Sequence, residues 1–177
     1  YAVIYAPYQT GVAYTNPTAS YEQMWEAFSA AAARWRSVLD TSRIGFVGHS
    51  YEGGAVPWLA YRILVERKWG KAGALLFIMA PWYSYNISQE QLENFPSHTK
   101  LLVQVYDDDN VNDARMAKDI FENISIPLEE KDFVILYSDT CGTVPMPATH
   151  DVPVGTLPFG PKVNLLDYYG VHRLVHA

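Results

Sequence analysis

Residues 44–54 read Ile-Gly-Phe-Val-Gly-His-Ser-Tyr-Glu-Gly-Gly, and they give the clearest prediction of local structure in the chain. The first four form a short apolar run, which is typical of a fully buried strand. Gly48 and Ser50 follow, and then come the apolar residues Ala55, Trp58 and Leu59, whose arrangement suits a helix. The order predicts a strand, a sharp turn and a helix, with the Ser50 hydroxyl exposed on the turn above the sheet.

This pattern resembles the nucleophile elbow of the α/β-hydrolase family, whose sequence is Gly-x-Ser-x-Gly. Gly48-His49-Ser50-Tyr51 matches it, whereas Glu52 stands where the family has its second glycine. An unpaired buried carboxylate would be costly. We therefore expect Glu52 to turn outward, where its negative charge would oppose an oxyanion and slow ester hydrolysis.

Length and composition limit the classes of protein to consider. The 177 residues suit one globular domain, because 49% are hydrophobic and 18% are charged. The net charge of -6 argues against nucleic acid or an anionic membrane as the partner. No apolar run approaches the roughly 20 residues of a membrane span. The single Cys141 excludes an internal disulfide but leaves the compartment open, with the cytoplasm favoured over secretion. The oligomeric state is also left open.

Apolar runs alternate with helical patterns along the whole chain. Strands are predicted near residues 1–5, 44–47, 74–79, 101–106 and 133–137. Such alternation favours a parallel, doubly wound sheet in a three-layer α/β/α domain. Compared with the hydrolase order, the chain starts partway in, so we expect a single domain over residues 1–177 that lacks the family's N-terminal strands.

Two pairs of polar residues predict where helices begin. Ser20 with Gln23, and Ser88 with Gln91, both have the spacing of a capping box.

Residues 138–162 differ from the rest because they are rich in proline and glycine. A loop this long in a compact domain is usually functional or disordered, and the prolines favour an ordered loop beside the active site. A final helix is predicted after it. His172 and His176 stand four apart there, a spacing that suits a metal, but no third ligand is evident. We therefore interpret them as a solvated helix face and predict no metal.

The family resemblance implies a catalytic serine, acid and histidine in that order along the chain. Ser50 would be the nucleophile. The acid would come from the three aspartates at 107–109, with Asp109 favoured and Asp108 as the alternative, although this acidic run also suits the start of the next helix. His150 would be the base, since it is the histidine between the last strand and the final helix. We expect His49 to point away from Ser50.

The resemblance also implies an oxyanion hole and a substrate pocket. The backbone N–H of Tyr51 would provide one oxyanion donor, and an upstream loop, which these residues do not show, would provide the second. Ligands bind beyond the carboxyl ends of parallel strands, so Tyr8, Trp82 and Tyr83 are candidates for the pocket. The alternative is that these aromatic side chains pack on neighbouring helices.

Two functions therefore compete. The first is a serine hydrolase that cleaves a small-molecule carboxylic ester, or a thioester or amide, through an acyl-enzyme and without a cofactor or metal. The alternative is a catalytically impaired hydrolase fold that serves as a binding or assembly module. Glu52 and the missing oxyanion strand motivate the alternative.

Overall fold

A four-stranded parallel sheet is the centre of the computed structural model, which describes residues 2–4, 16–154 and 163–176. The strands lie side by side in sequence order and are β1 (Arg43–His49), β2 (Gly73–Met79), β3 (Thr99–Tyr106) and β4 (Lys131–Leu136). Every neighbouring pair is parallel, with Ile44 opposite Ala74 and Leu76 opposite Leu101. The four predicted strands from residue 44 onward are thus confirmed as parallel.

The predicted strand near residues 1–5 is not found in its described part. Residues 2–4 have no strand structure, and residues 1 and 5 lie outside the described residues. Val3 is 88% exposed. A β-rich run becomes a strand only where it packs and pairs with a neighbour, and Val3 has no such burial.

The helices fall between the strands and after them. They are α1 (Pro17–Arg34), α2 (Ser50–Tyr61, continued by the π-helical turn Arg62–Glu66), α3 (Gln89–Leu92) and α4 (Ala114–Asn123). The last helical segment consists of α5 (Leu165–Asp167), a π-helical turn (Tyr168–His172) and α6 (Arg173–His176). Short 3-10 turns lie at Leu128–Glu130 and Val152–Val154.

Two apolar layers hold the helices on opposite faces of the sheet. On one face, Leu76, Ile78 and Val103 pack with Ile63 of the α2 extension and Ile120 of α4. On the other face, a smaller cluster joins the strands to the last helical segment and includes Phe77, Met79, Tyr106 and Val171. The predicted three-layer α/β/α arrangement is confirmed.

A buried hydrogen-bond chain ties the last helical segment to β3. Gln104 Nε2 donates to the Gly170 carbonyl oxygen at 2.8 Å, and the Tyr106 hydroxyl donates to Gln104 Oε1 at 3.0 Å. Because every polar atom in this chain is paired, the bonds favour one register of the final helix on the sheet.

Two helix starts test the capping predictions. Ser88 and Gln91 do form a capping box at α3. The prediction at Ser20 is wrong, because α1 begins at Pro17 and the side chain of Asn16 caps it. Proline is favoured in the first turn, where its missing N–H costs nothing, and that advantage moves the start upstream of Ser20.

The loop predicted over residues 138–162 contains regular structure of its own. Residues Asp139–Cys141 (β5) and Val144–Met146 (β6) form a two-stranded antiparallel ribbon, closed by Gly142 at a φ of +62°. Residues 155–162 lie outside the described residues. The ribbon leads directly into the segment that carries His150.

Candidate active site

Ser50 lies on a strained turn between β1 and α2. Its φ is +55°, a left-handed conformation that non-glycine residues adopt rarely and mostly where the surrounding structure imposes it. The carbonyl oxygen of Ser50 accepts a hydrogen bond of 2.8 Å from the Trp82 N–H, so the segment after β2 holds the turn. This turn presents the serine at the carboxyl end of the sheet.

Glycines allow the turn to pack this tightly. A Cβ on Gly48 would lie 2.5 Å from the carbonyl oxygen of Glu52. A Cβ on Gly54 would collide with the carbonyl oxygen of Tyr83 and would lie 2.7 Å from that of Trp82. Glu52 itself is exposed, in agreement with an outward side chain. The close approach of the helix to the β2 exit therefore occurs at Gly54, two residues beyond the position of the family's second glycine.

Ser50, His150 and Asp109 form one continuous chain of hydrogen bonds. His150 Nε2 lies 2.9 Å from Ser50 Oγ, and His150 Nδ1 lies 2.8 Å from Asp109 Oδ2. An ionised carboxylate only accepts, so Nδ1 carries the proton and donates it to Asp109. Nε2 is then the acceptor, and the Ser50 hydroxyl donates to it. This polarity is the one that a serine nucleophile needs from its base.

Asp109 is fixed by its own turn. Its Oδ1 accepts the backbone N–H groups of Val111 and Asn112, at 2.8 and 2.9 Å, while Oδ2 faces His150. The side chains of Asp109 and His150 are both nearly buried, at 6% and 10% exposure. A buried carboxylate with these partners can stabilise an imidazolium beside it.

The other two aspartates have a different partner. Asp107 Oδ1 accepts the backbone N–H of Ser138 at 2.8 Å, and the Ser138 hydroxyl donates its one proton to Asp108 Oδ2 at 2.7 Å, with Asp107 Oδ1 also near at 3.0 Å. The Asp108 N–H also donates to the Ala148 carbonyl oxygen at 3.1 Å, just ahead of the histidine. Asp108, the alternative acid, therefore anchors the loop that carries His150, while Asp109 is the aspartate in contact with the imidazole. The cap of α4 is Asp113, outside this run.

His49 lies against the His150 ring, with the two ring centroids 4.5 Å apart and the planes at 44°. We expected the His49 side chain to point away from Ser50, and the sequence analysis did not predict its contact with the His150 ring. Burial, followed by the nearby His150 imidazole, lowers the pKa of His49 from 6.5 to about 4. At neutral pH His49 is thus an uncharged ring packed on His150.

This lowered pKa predicts a stability that depends on pH. The unfolded chain binds a proton on His49 below about pH 6.5, whereas the folded chain binds it only near pH 4. The free energy of unfolding should therefore fall as the pH drops from about 6.5 to about 4, by up to roughly 3 kcal/mol. Urea unfolding at pH 7, 6 and 5 should give a shallower decline for His49→Gln than for the unsubstituted chain. Parallel declines would contradict the prediction.

Asn112 is a further polar residue at the site, and the sequence analysis missed it. It is 7% exposed, and its Nδ2 lies 2.7 Å from the Ala80 carbonyl oxygen and 3.5 Å from Ser50 Oγ. Ala80 has a φ of +38° at the exit of β2. The only signal in the sequence was an asparagine three residues after the favoured acid.

The predicted oxyanion and pocket residues are placed only in part. Tyr51 follows the serine in the first turn of α2, and its ring packs on Tyr21 at 5.3 Å. Trp82 and Tyr83 contact each other edge to face at 5.1 Å, and Tyr83 is 53% exposed. Both leave the carboxyl end of β2 beside the Ser50 turn. Tyr8 lies outside the described residues.

Neither a metal cluster nor a spanning helix is found in the part of the chain that the structure describes. Within residues 2–4, 16–154 and 163–176, no three His, Cys, Asp or Glu side chains come together as metal ligands. No helix in these ranges has the length and apolarity needed to cross a bilayer.

Comparison with known proteins gives a structural likeness without a sequence relative. No protein-family model and no curated protein matches the chain. A solved structure described as a CIB-like hydrolase from Thermoplasma acidophilum matches with a TM-score of 0.52 and 15% identity, over 91% of this chain. The chain has an α/β-hydrolase fold. The chain spans 58% of the length of that structure.

Two other solved structures are similar over less of the chain. A variant of SOBER1 from Arabidopsis thaliana has a TM-score of 0.48 and 12% identity, over 76% of this chain and 61% of its own. An alpha-beta serine hydrolase homologue from Coxiella burnetii has a TM-score of 0.45 and 18% identity, over 78% of this chain and 54% of its own.

Proposed function

We propose that this chain is the catalytic part of a serine hydrolase that cleaves a carboxylic ester through an acyl-enzyme on Ser50. The observation that carries the proposal is the hydrogen-bond chain from Asp109 Oδ2 through His150 to Ser50 Oγ, with links of 2.8 and 2.9 Å. The positive φ of Ser50 supports it, because a strained serine at the end of a parallel strand is how a nucleophile is exposed in this fold.

The chemistry follows from the polarity of these bonds. Ser50 Oγ attacks the ester carbonyl carbon while its proton passes to His150 Nε2. Asp109 keeps the imidazole oriented and stabilises the positive charge that it gains. The tetrahedral intermediate then expels the alcohol, which takes the proton from His150. Water repeats the sequence on the acyl-enzyme and releases the acid.

The oxyanion needs donors that are in place before the reaction. The Tyr51 N–H, at the N-terminal end of α2, is the residue after the nucleophile and suits this role, and the helix terminus adds a favourable potential. The substrate would approach along the exit of β2, where Trp82 and Tyr83 present aromatic surface to an acyl or aromatic group. A thioester or an amide would use the same groups.

A fluorophosphonate probe tests the proposal directly. Such a probe phosphonylates a serine only when a base activates it, so intact mass spectrometry should show one adduct on the protein. The adduct should map to Ser50, and Ser50→Ala should lose it. Ser37→Ala replaces an exposed serine in the turn after α1 and serves as the matched control, which should label fully.

The assay then separates the substrate classes and the alternative function. Hydrolysis of 4-nitrophenyl butyrate, of the corresponding thioester and of the anilide should rank the ester first. A folded protein that neither labels nor hydrolyses any of the three would contradict the proposal and would favour a hydrolase fold used for binding or assembly.

A further inference from the structure

The buried side chain of Asn112 has an orientation that its neighbours determine. The Ala80 carbonyl oxygen lies 2.7 Å from one terminal atom of the amide. A carbonyl only accepts hydrogen bonds, so the atom facing it must be the NH₂ nitrogen. One hydrogen of Nδ2 therefore points to Ala80. The second hydrogen of Nδ2 is then available to another acceptor, and Ser50 Oγ lies 3.5 Å from the same nitrogen.

The oxygen of Ser50 can accept that hydrogen. Its own proton is committed to His150 Nε2, because the Asp109 carboxylate holds the His150 proton on Nδ1. The lone pairs of Oγ are then free to face Asn112. Both ends of the chain are acceptor-only groups, Asp109 and the Ala80 carbonyl, and they fix the direction of every bond between them.

We propose that Asn112 is a positioning residue for the nucleophile and that its Nδ2–H contact with Ser50 Oγ tightens during the reaction. This rests on the proposed hydrolase function. At 3.5 Å the resting contact is long for a hydrogen bond. While the proton of Oγ passes to His150, and before the bond to the ester carbon is complete, Oγ carries partial negative charge, and hydrogen bonds to such an acceptor are shorter and stronger. An interaction that strengthens only as charge develops lowers the barrier without tightening substrate binding.

Two further features of Asn112 support this role. Its Oδ1 is sealed from solvent and has no hydrogen-bond partner in the described part of the chain. An unsatisfied buried amide oxygen is unfavourable, and such groups concentrate where a function retains them. In addition, the backbone N–H of Asn112 donates to Asp109 Oδ1 at 2.9 Å. The same residue therefore contacts the acid through its backbone and approaches the nucleophile through its side chain.

The competing explanation is purely structural. The bond to Ala80 could serve only to hold the β2 exit, whose Trp82 N–H bonds the Ser50 carbonyl oxygen. The structural role and the role as a donor to Ser50 Oγ predict different effects when Asn112 is replaced. A lost structural bond lowers the melting temperature and disturbs substrate binding, which raises KM. A lost donor to Oγ lowers kcat and the rate of labelling, and it leaves KM unchanged.

The kinetic test compares Asn112→Ala with Asn110→Ala, an exposed asparagine of the same turn. Asn112→Ala should lower both kcat for 4-nitrophenyl butyrate and the fluorophosphonate rate constant by about tenfold to a hundredfold, the range for one hydrogen bond to an acceptor that bears charge. Its KM should equal that of Asn110→Ala. An unchanged kcat, or a raised KM with an unchanged kcat, would overturn the proposal.

A second measurement does not depend on the folding of that variant. In a ¹⁵N-labelled sample the two Asn112 Hδ2 protons give separate NMR signals. Phosphonylation of Ser50, or Ser50→Ala, should move the proton facing Oγ and leave the proton on Ala80 in place. If both stay unmoved, the contact with Oγ is absent and the proposal fails. If the unsubstituted protein is folded but does not react with the probe, the proposed hydrolase function is wrong, and the role of Asn112 is wrong with it. If the unsubstituted protein reacts and the Asn112→Ala variant is fully active, only the role of Asn112 is overturned.

Discussion

Replacing Asp109 by Asn is expected to lower kcat for ester hydrolysis by about 10⁴, with little change in KM. An amide at this position can present its NH₂ group to His150 Nδ1, and the imidazole would then carry its proton on Nε2. In that tautomer Nε2 donates and cannot accept the Ser50 proton. The geometry would survive while the base is lost, since Asp109 Oδ2 and His150 Nδ1 are 2.8 Å apart and an amide has the same shape.

Asp108→Asn is the matched control, because it removes the negative charge of the residue adjacent to Asp109. Asp108 Oδ2 accepts the Ser138 hydroxyl at 2.7 Å, and an amide oxygen can do the same. We expect kcat within about threefold of the unsubstituted enzyme, in the range of one neutral hydrogen bond. Steady-state rates of ester hydrolysis and rates of fluorophosphonate labelling for both variants test which aspartate is the acid. If Asp108→Asn caused the larger loss, Asp108 would be the acid and the assignment of Asp109 would be wrong.

The sheet could be predicted because buried parallel strands have a simple signature. The run that contains Leu76 and Ile78 has no polar alternation, since helices cover both faces of β2. The serine turn could be predicted from the sequence equally well. Its glycines and Ser50 stand at fixed offsets from the end of β1, and a strand followed at once by a helix leaves few conformations for the residue between them.

The start of α1 and the structure inside the long loop were harder to predict from sequence. Ser20 with Gln23 fits a capping box, yet Asn16 followed by Pro17 is the stronger start, and the two signals compete within one helical turn. The ribbon of β5 and β6 has only three residues on each side. Strands that short lack a readable alternation, and Pro145 in β6 argued against a strand.

The positions of His49 and Asn112 depend on tertiary structure alone. His49 meets His150 across 101 positions of sequence, and Asn112 meets Ser50 across 62. Nothing local encodes such contacts, because they arise when the carboxyl ends of β1, β2 and β3 come to one edge of the sheet. Sequence order could therefore suggest which residues act as nucleophile, acid and base, but it could not indicate the side chains that pack around them.

Gly54→Ala should strongly lower the free energy of unfolding. The new Cβ would collide with the Tyr83 carbonyl oxygen and lie 2.7 Å from that of Trp82, and both are backbone atoms that cannot rotate away. Overpacking typically costs about 1–3 kcal/mol, and a collision with backbone atoms places this substitution toward the upper end of that range. The displaced segment also carries the Trp82 N–H that holds the Ser50 carbonyl oxygen, so we expect the fluorophosphonate reaction to be lost as well.

Gly45→Ala in β1 is the matched control for that loss. A Cβ there meets no atom of the described residues within 4 Å, and Gly45 is exposed, so the substitution adds the same methyl group without a collision among them. It should leave the free energy of unfolding unchanged or raise it by up to about 1 kcal/mol, because alanine restricts the unfolded chain. Urea midpoints for the two variants measure the difference. Equal midpoints would mean that α2 can move away from the β2 exit, and the tight turn would then not be what holds Ser50 in its strained conformation.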